Sequence, residues 1–236
     1  MLPVDLTPHS TRLTTLFAPP AEELIQKQQT EVKLLFGRGV YVPAGNYEER
    51  ELWLEKFHAE ELQNCLKKNS SLTTLRINQK PWTRLSKEIA QCTQLTTLAI
   101  LNTPLLSLPA ELGAWTQLKS LILFKTQIRE LPPTLGQLQK LEKLELNSNE
   151  LEHLEALSPL THLIYLSASR NKIRHLPSGP SWENLQTLFL DDNALSELPE
   201  KLYGCTSLTC LNLEKNPLLH TEEMKRRFSR VKALFL

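Results

Sequence analysis

Leucine returns at one fixed phase through most of this 236-residue chain. Leu72, Leu95, Leu118, Leu141, Leu163, Leu185 and Leu208 stand 23, 23, 23, 22, 22 and 23 residues apart. Apolar residues follow three and five places on: Leu75 and Ile77, Leu98 and Ile100, Leu121 and Leu123, Leu144 and Leu146, Leu166 and Ala168, Leu188 and Leu190, Leu211 and Leu213. Another follows at Trp82, Leu105, Ile128, Leu151, Ile173, Leu195 and Leu218. Steps of three and then two fit neither a helix nor plain strand alternation, and read as a short strand closed by a tight turn. One such unit cannot bury its own leucines, so the units must stack.

The stretch LEKLELNSNELEHL, residues 141–154, shows the unit most completely. Its inner leucines alternate with polar residues and face one side, and fully burying each is worth roughly 1.5–3 kcal/mol once the next coil covers it. Four units go on to Leu-Pro, at Leu108-Pro109, Leu131-Pro132, Leu176-Pro177 and Leu198-Pro199. A residue before proline avoids helical geometry, so the return segments are extended or tightly turned, with little room for full helices. Asn149, Asn171, Asn193 and Asn216 share one phase. An amide donates and accepts at once, so these four read as an internal ladder satisfying turn groups of their own and neighbouring coils. The first three units place Lys80, Thr103 and Thr126 there, which confines the ladder to the C-terminal four.

The pattern LxxLxLxxNxLxxLPxxL resembles the leucine-rich repeat family over roughly residues 62–219. The resemblance implies an α/β fold: a right-handed leucine-rich repeat solenoid with a curved, parallel concave sheet, about seven repeats over 71–220. It extends to repeat proteins and effectors of intracellular bacterial pathogens, and LQNCLKKNSSLTTLRI is similar to longer, helix-containing repeat variants. Residues 1–20, with Pro3, Pro8, Pro19 and Pro20, read as a loosely ordered arm. Residues 21–70 read as a helical N-terminal cap: one helix to Gly37, a short run at Val40–Val42, and a second helix from an Asn46 cap to about Lys68. By the resemblance, Val40–Val42 forms a strand beside the first full repeat. Residues 221–236 read as a C-terminal capping helix, with Thr221 as cap and Met224, Phe228, Val231 and Phe235 along one side.

Chemistry is hard to place on this chain. It holds no HExxH, no glycine-rich phosphate loop and no CxxC, so no catalytic residue, cofactor-binding residue or metal ligand is assigned. Asp191-Asp192 lack partner carboxylates at ligand spacing. Leucine-rich bacterial ubiquitin ligases carry a Cys-x-Asp motif that is absent here, which leaves only the substrate-recognition part of a ligase complex as a reading in that direction. Cys65, Cys92, Cys205 and Cys210 are scattered, as suits a reducing compartment; Cys92 and Cys205 share a phase of buried packing. The N-terminus lacks a basic start before an apolar run, and no stretch approaches 18 apolar residues. The expected location is the cytoplasm, or a host cell reached without a cleaved signal peptide. A net charge of +1 gives no global pull toward a polyanion, so no nucleic-acid partner is expected.

Function is therefore sought on the residues that alternate with the buried leucines. The central outward column reads Arg76, Ala99, Ile122, Glu145, Ser167, Phe189, Asn212, and the next reads Asn78, Leu101, Phe124, Asn147, Ser169, Asp191, Glu214. On the other side stand Thr74, Thr97, Ser120, Lys143, Tyr165, Thr187 and Cys210. Leu101, Ile122 and Phe124 meet on strands about 4.8 Å apart. Tyr165 and Phe189 form a second pair. Apolar anchors rimmed by Lys125, Lys143, Arg170, Asp191 and Asp192 have the composition of a protein interface. The expected function is non-enzymatic: a monomeric scaffold binding a partner protein, a host protein in the effector reading, on the concave face. The competing reading uses Lys225, Arg226, Arg230 and Lys232 on the last helix for a membrane or nucleic acid; the plainer one makes that helix a lid on the open end of the core.

Overall fold

A computed structural model describes residues 51–54, 72–80, 82–85, 87–177 and 182–236. The chain divides into two units, Met1–Tyr41 and Val42–Leu236, and the described residues all lie in the second. Their strands follow the leucine phase: β1 (Glu51–Leu54), β2 (Thr74–Asn78), β3 (Thr97–Leu101), β4 (Ser120–Phe124), β5 (Lys143–Glu145), β6 (Tyr165–Ser167), β7 (Thr187–Phe189), β8 (Cys210–Asn212) and β9 (Ala233–Phe235). All pair in parallel with their sequence neighbours in one open sheet ordered β1 to β9. This is a leucine-rich solenoid, one strand per coil.

Inward leucines make the core. Leu75, Leu98, Leu121, Leu144, Leu166, Leu188 and Leu211 are fully shielded, as are the residues two places on, from Ile77 to Leu213. Short 3-10 segments return the chain: Lys87–Gln91, Ala110–Ala114, Pro133–Gln137, Glu155–Leu157 and Glu200–Gly204. Pro109, Pro132 and Pro199 enter three of them in extended geometry. Trp115 fills the return side of its coil, with its indole Nε1–H donating to the Ile89 carbonyl at 3.0 Å.

Strands β2 to β8 each end in a turn of one design. Gln79, Asn102, Lys125, Ser148, Arg170, Asp192 and Lys215 all take left-handed backbone, with φ between 49° and 58°. That costs an ordinary L-residue roughly 1–2 kcal/mol. Six of the seven offset it by aiming their N–H at a carbonyl of the following coil: Gln79 at Leu101, Asn102 at Phe124, Lys125 at Asn147, Ser148 at Ser169, Arg170 at Asp191 and Asp192 at Glu214, at 2.9–3.1 Å.

The asparagines lie directly after these turns. Asn171 donates to the carbonyls of Leu146 (2.9 Å) and Ala168 (3.0 Å) and accepts from the Leu151 N–H (3.1 Å). Asn193 donates to Ala168 (3.0 Å) and Leu190 (2.9 Å) and accepts from the Ile173 N–H (3.0 Å). Asn216 repeats this with Leu190, Leu213 and the Leu195 N–H. Asn149 donates to Leu123 and Leu146, and its carbonyl accepts from the Thr126 hydroxyl. Upstream, Thr103 is a smaller bridge, donating to Leu101 and accepting from the Lys80 N–H.

The structure corrects the sequence reading at both ends. Glu51–Leu54 is a strand, not part of a helix running from Asn46 to Lys68, and it takes the place beside the first full repeat that was assigned to Val40–Val42. Leu52 pairs with Leu75 and Leu54 with Ile77, so the 23-residue phase reaches one unit further back, with Glu49 where the first leucine would be. The rest of the expected N-terminal arm and helical cap, including Val40–Val42, lies outside the described residues.

At the other end the helix is only Thr221–Arg227, here α1, with His220 rather than Thr221 at its N-cap. The chain then turns, and Val231, Leu234 and Leu236 repeat the three-then-two spacing 23 residues after Leu208, Leu211 and Leu213. Solenoid strands therefore run past position 220 to Phe235. Cys92 is buried, whereas Cys205, expected to share its environment, is half-exposed beside the Glu200–Gly204 segment.

Candidate protein-binding face

The parallel register places the outward residues in columns without further assumption. Leu101 pairs with Phe124 and Ala99 with Ile122, so Leu101, Ile122 and Phe124 form one half-exposed apolar group across β3 and β4. Ala99 beside them is buried. The Lys125 ammonium lies 5.4 Å from the centre of the Phe124 ring, a cation against a π-face at the edge of the patch.

Three strands further on, Tyr165 and Phe189 meet edge to face, with ring centres 6.0 Å apart. Lys143 reaches over Tyr165 at 5.3 Å, and its ammonium is 4.0 Å from the Glu145 carboxylate. Arg170 and Asp192 sit in the left-handed turns at the end of their strands and are exposed; Asp191 is half-exposed one residue earlier. The apolar group and the aromatic pair thus occupy one face, with Lys143 and Glu145 between them.

A polar relay links the two halves. The Asn147 side-chain oxygen accepts from the Ser167 hydroxyl at 2.7 Å and from the Ser169 N–H at 2.8 Å. Ser169 in turn donates its hydroxyl to the Asp191 carboxylate at 2.5 Å. Burial pushes the Glu145 carboxyl above its ordinary range, against the opposing pull of Lys143 and a hydrogen bond with Asn147. Burial also raises the Tyr165 phenol, helped by the nearby Glu145 charge. Asn147, Ser167 and Ser169 were not singled out from the sequence as site residues. Their signal was an Asn and two Ser on adjacent strands at outward positions, and it carries meaning only once neighbouring side chains are in reach.

At the C-terminal end, α1 has its apolar side in use. Met224 and Phe228 are buried, and Phe228 stacks on Tyr203 with ring centres 4.7 Å apart. Arg227 lies 3.6 Å over the Tyr203 ring and makes two hydrogen bonds to Glu200, at 2.8 and 2.5 Å. A helix whose apolar stripe is already packed has no such stripe to insert into a bilayer. No described helix is long and apolar enough to cross a membrane. Among the described residues, no group of three or more His, Cys, Asp or Glu is placed to hold a metal ion.

Residues 116–173 match the family described as leucine rich repeat. No curated protein matches the chain. Among solved structures it is similar to a leucine-rich repeat protein of Leptospira interrogans, at 29% identity and TM-score 0.68, covering 81% of this chain and 49% of that one. It is also similar to internalin C2 of Listeria monocytogenes, at 23% identity and TM-score 0.67, covering 80% of each chain. A plant peptide hormone receptor, RGFR1, in complex with RGF2 matches at 27% identity and TM-score 0.62, over 82% of this chain and 31% of that one. This chain thus spans about half the length of the Leptospira protein.

Proposed function

Starting from the premise that the chain is a leucine-rich repeat protein, we propose that it is a non-enzymatic interaction module that holds a partner protein or peptide on the outward face of β3 to β8. The observation that carries this reading is the pairing of half-exposed apolar and aromatic side chains with adjacent cations: Leu101, Ile122 and Phe124 beside Lys125, and Tyr165 and Phe189 beside Lys143. Aromatic and aliphatic anchors inside a polar rim are the composition of binding hot spots. The peptide hormone receptor among the similar structures was solved with RGF2 bound, which supports a binding role for a solenoid of this kind. The narrower form, a secreted bacterial protein engaging a host protein, rests on the resemblance to bacterial repeat proteins.

Affinity capture with the wild type and with a Phe124→Glu plus Phe189→Glu variant tests the reading. Both side chains are outward, so circular dichroism of the variant should match the wild type. Proteins retained by the wild type and lost from the variant support the assignment. Identical capture by both refutes it.

A further inference from the structure

The chemistry of the partner can be taken a step further, on the premise that this face binds one. Its features recur at measurable intervals. Phe124 lies on β4 and Phe189 on β7, three strand spacings apart, or about 14 Å at roughly 4.8 Å per strand. Glu214 lies in the β8 coil, about 19 Å from β4 by the same step. An extended chain rises about 3.3 Å per residue and points every second side chain the same way. Four of its residues span about 13 Å and six span about 20 Å, which match the two intervals with side chains on one side.

The charges on the face are ordered. Lys125 and Lys143 stand at the β4–β5 end, whereas Asp191, Asp192 and Glu214 stand at the β7–β8 end. None of these three carboxylates belongs to an ion pair among the described residues, although Lys143 is paired with Glu145. Arg170 and Lys215 occupy nearby turns without closing on them. Between the ends lie Glu145 and Asn147, both half-exposed: the Asn147 oxygen is taken by Ser167 and Ser169, which leaves the Glu145 carboxylate as acceptor and the Asn147 amide N–H groups as donors. Main-chain amides of an extended segment can use such groups; those of a helix are already satisfied internally.

We propose that this face takes an extended peptide segment lying across the strands, with a large apolar side chain over Phe124, a second four residues on beside Tyr165 and Phe189, and a cationic side chain two residues beyond that against Asp191 and Glu214. The residue midway between the two apolar anchors lies over Glu145 and Asn147 and is polar. The order of charges fixes the direction of the segment, because the reverse order brings its cation to Lys125 and Lys143.

The probe is a fluorescein-labelled peptide containing Phe-Gly-Ser-Gly-Phe-Gly-Arg, compared by anisotropy at low ionic strength with the same peptide ending in Glu and with the compressed version Phe-Ser-Phe-Arg. The wild type should bind the Arg peptide about fivefold more tightly than the Glu peptide, the scale expected for reversing one exposed charge contact. It should also prefer the full spacing to the compressed one. An Asp191→Asn plus Glu214→Gln variant keeps the Ser169 acceptor and should lose the Arg preference. Equal binding of the Arg and Glu peptides, no binding of either, or a preference that survives in the neutralised variant overturns the proposal. If both peptides bind equally and Phe124→Glu plus Phe189→Glu abolishes binding, this proposal falls while the reading of the face as a binding surface stands.

Discussion

Adjacent ladder asparagines share carbonyl groups, and this predicts a specific failure of additivity. Asn171 and Asn193 both donate to the Ala168 carbonyl, each at 3.0 Å. Replacing Asn171 with the near-isosteric leucine removes the acceptor of the Leu151 N–H, yet Leu146 keeps Asn149 as donor and Ala168 keeps Asn193. Asn193→Leu strands the Ile173 N–H in the same way and leaves Ala168 to Asn171 and Leu190 to Asn216. Each single variant therefore orphans one backbone donor, at about 1–3 kcal/mol. The double variant orphans both donors and also the Ala168 carbonyl, a third group that neither single change exposes. Its destabilisation should exceed the sum of the singles by roughly the cost of that group, about 1–3 kcal/mol. Asn149 and Asn193 share no carbonyl, so their double variant should be additive to within about 0.5 kcal/mol. Urea unfolding followed by circular dichroism on the three single and two double variants measures both coupling energies. An additive Asn171/Asn193 pair, or an Asn149/Asn193 pair coupled as strongly, would refute the shared-carbonyl account.

Two further perturbations test other parts of the molecule. The Glu145 carboxyl is raised by burial, so the folded chain holds that proton more tightly than the unfolded one, and stability withheld by its ionisation grows as pH climbs from the ordinary carboxylate range through the raised value. Glu145→Gln should raise the urea midpoint at neutral pH and change it little near pH 3, where the wild-type group is protonated too; a variant less stable at neutral pH than the wild type contradicts the dominance of desolvation. Gly136 and Gly204 both lie in 3-10 return segments, one residue apart in phase, and differ in surroundings: a methyl group at Gly136 meets Pro159 Cγ at 2.9 Å and the Ala156 carbonyl at 3.3 Å, whereas one at Gly204 meets nothing within 4 Å. Thermal melts should show Gly136→Ala losing about 1–3 kcal/mol and Gly204→Ala gaining about 0.4–1 kcal/mol.

Strand positions and outward columns were legible because they depend on spacing alone. Leucine phase decides which side chains turn inward, and parallel stacking in register does the rest, so Leu101 could be set beside Phe124 before any coordinates. Two places resisted for physical reasons. In Glu51–Leu54 the phase is kept by Leu52 and Leu54, but Glu49 stands at the first-leucine position and the flanking residues are good helix formers. At the C-terminus, Met224, Phe228, Val231 and Phe235 step by four, three and four, a helical period that competes with the repeat. The contest is settled by the edge of β8, which accepts Leu234 opposite Leu211. The Asn147–Ser167–Ser169–Asp191 relay was hidden because it depends on side-chain rotamers across three strands. Polar outward residues look alike in a sequence whether they face water or each other.

The change of turn residue at Asn149 also has a thermodynamic consequence for binding. Coils from Asn149 onward are tied to their neighbours by amides that share acceptors, whereas those carrying β3 and β4 have Thr103 and Thr126 in that place, whose hydroxyls carry one donor each where an amide carries two. The coils that display Leu101, Ile122 and Phe124 therefore hold together with fewer shared amide donors than the asparagine coils. A ligand seated there would bridge those coils, and at a hundred times its dissociation constant it would add about 2.7 kcal/mol to the folded state. Occupancy of the face and cohesion of the threonine coils would then be one linked equilibrium, with the ligand as a fastening between strands where the amides stop.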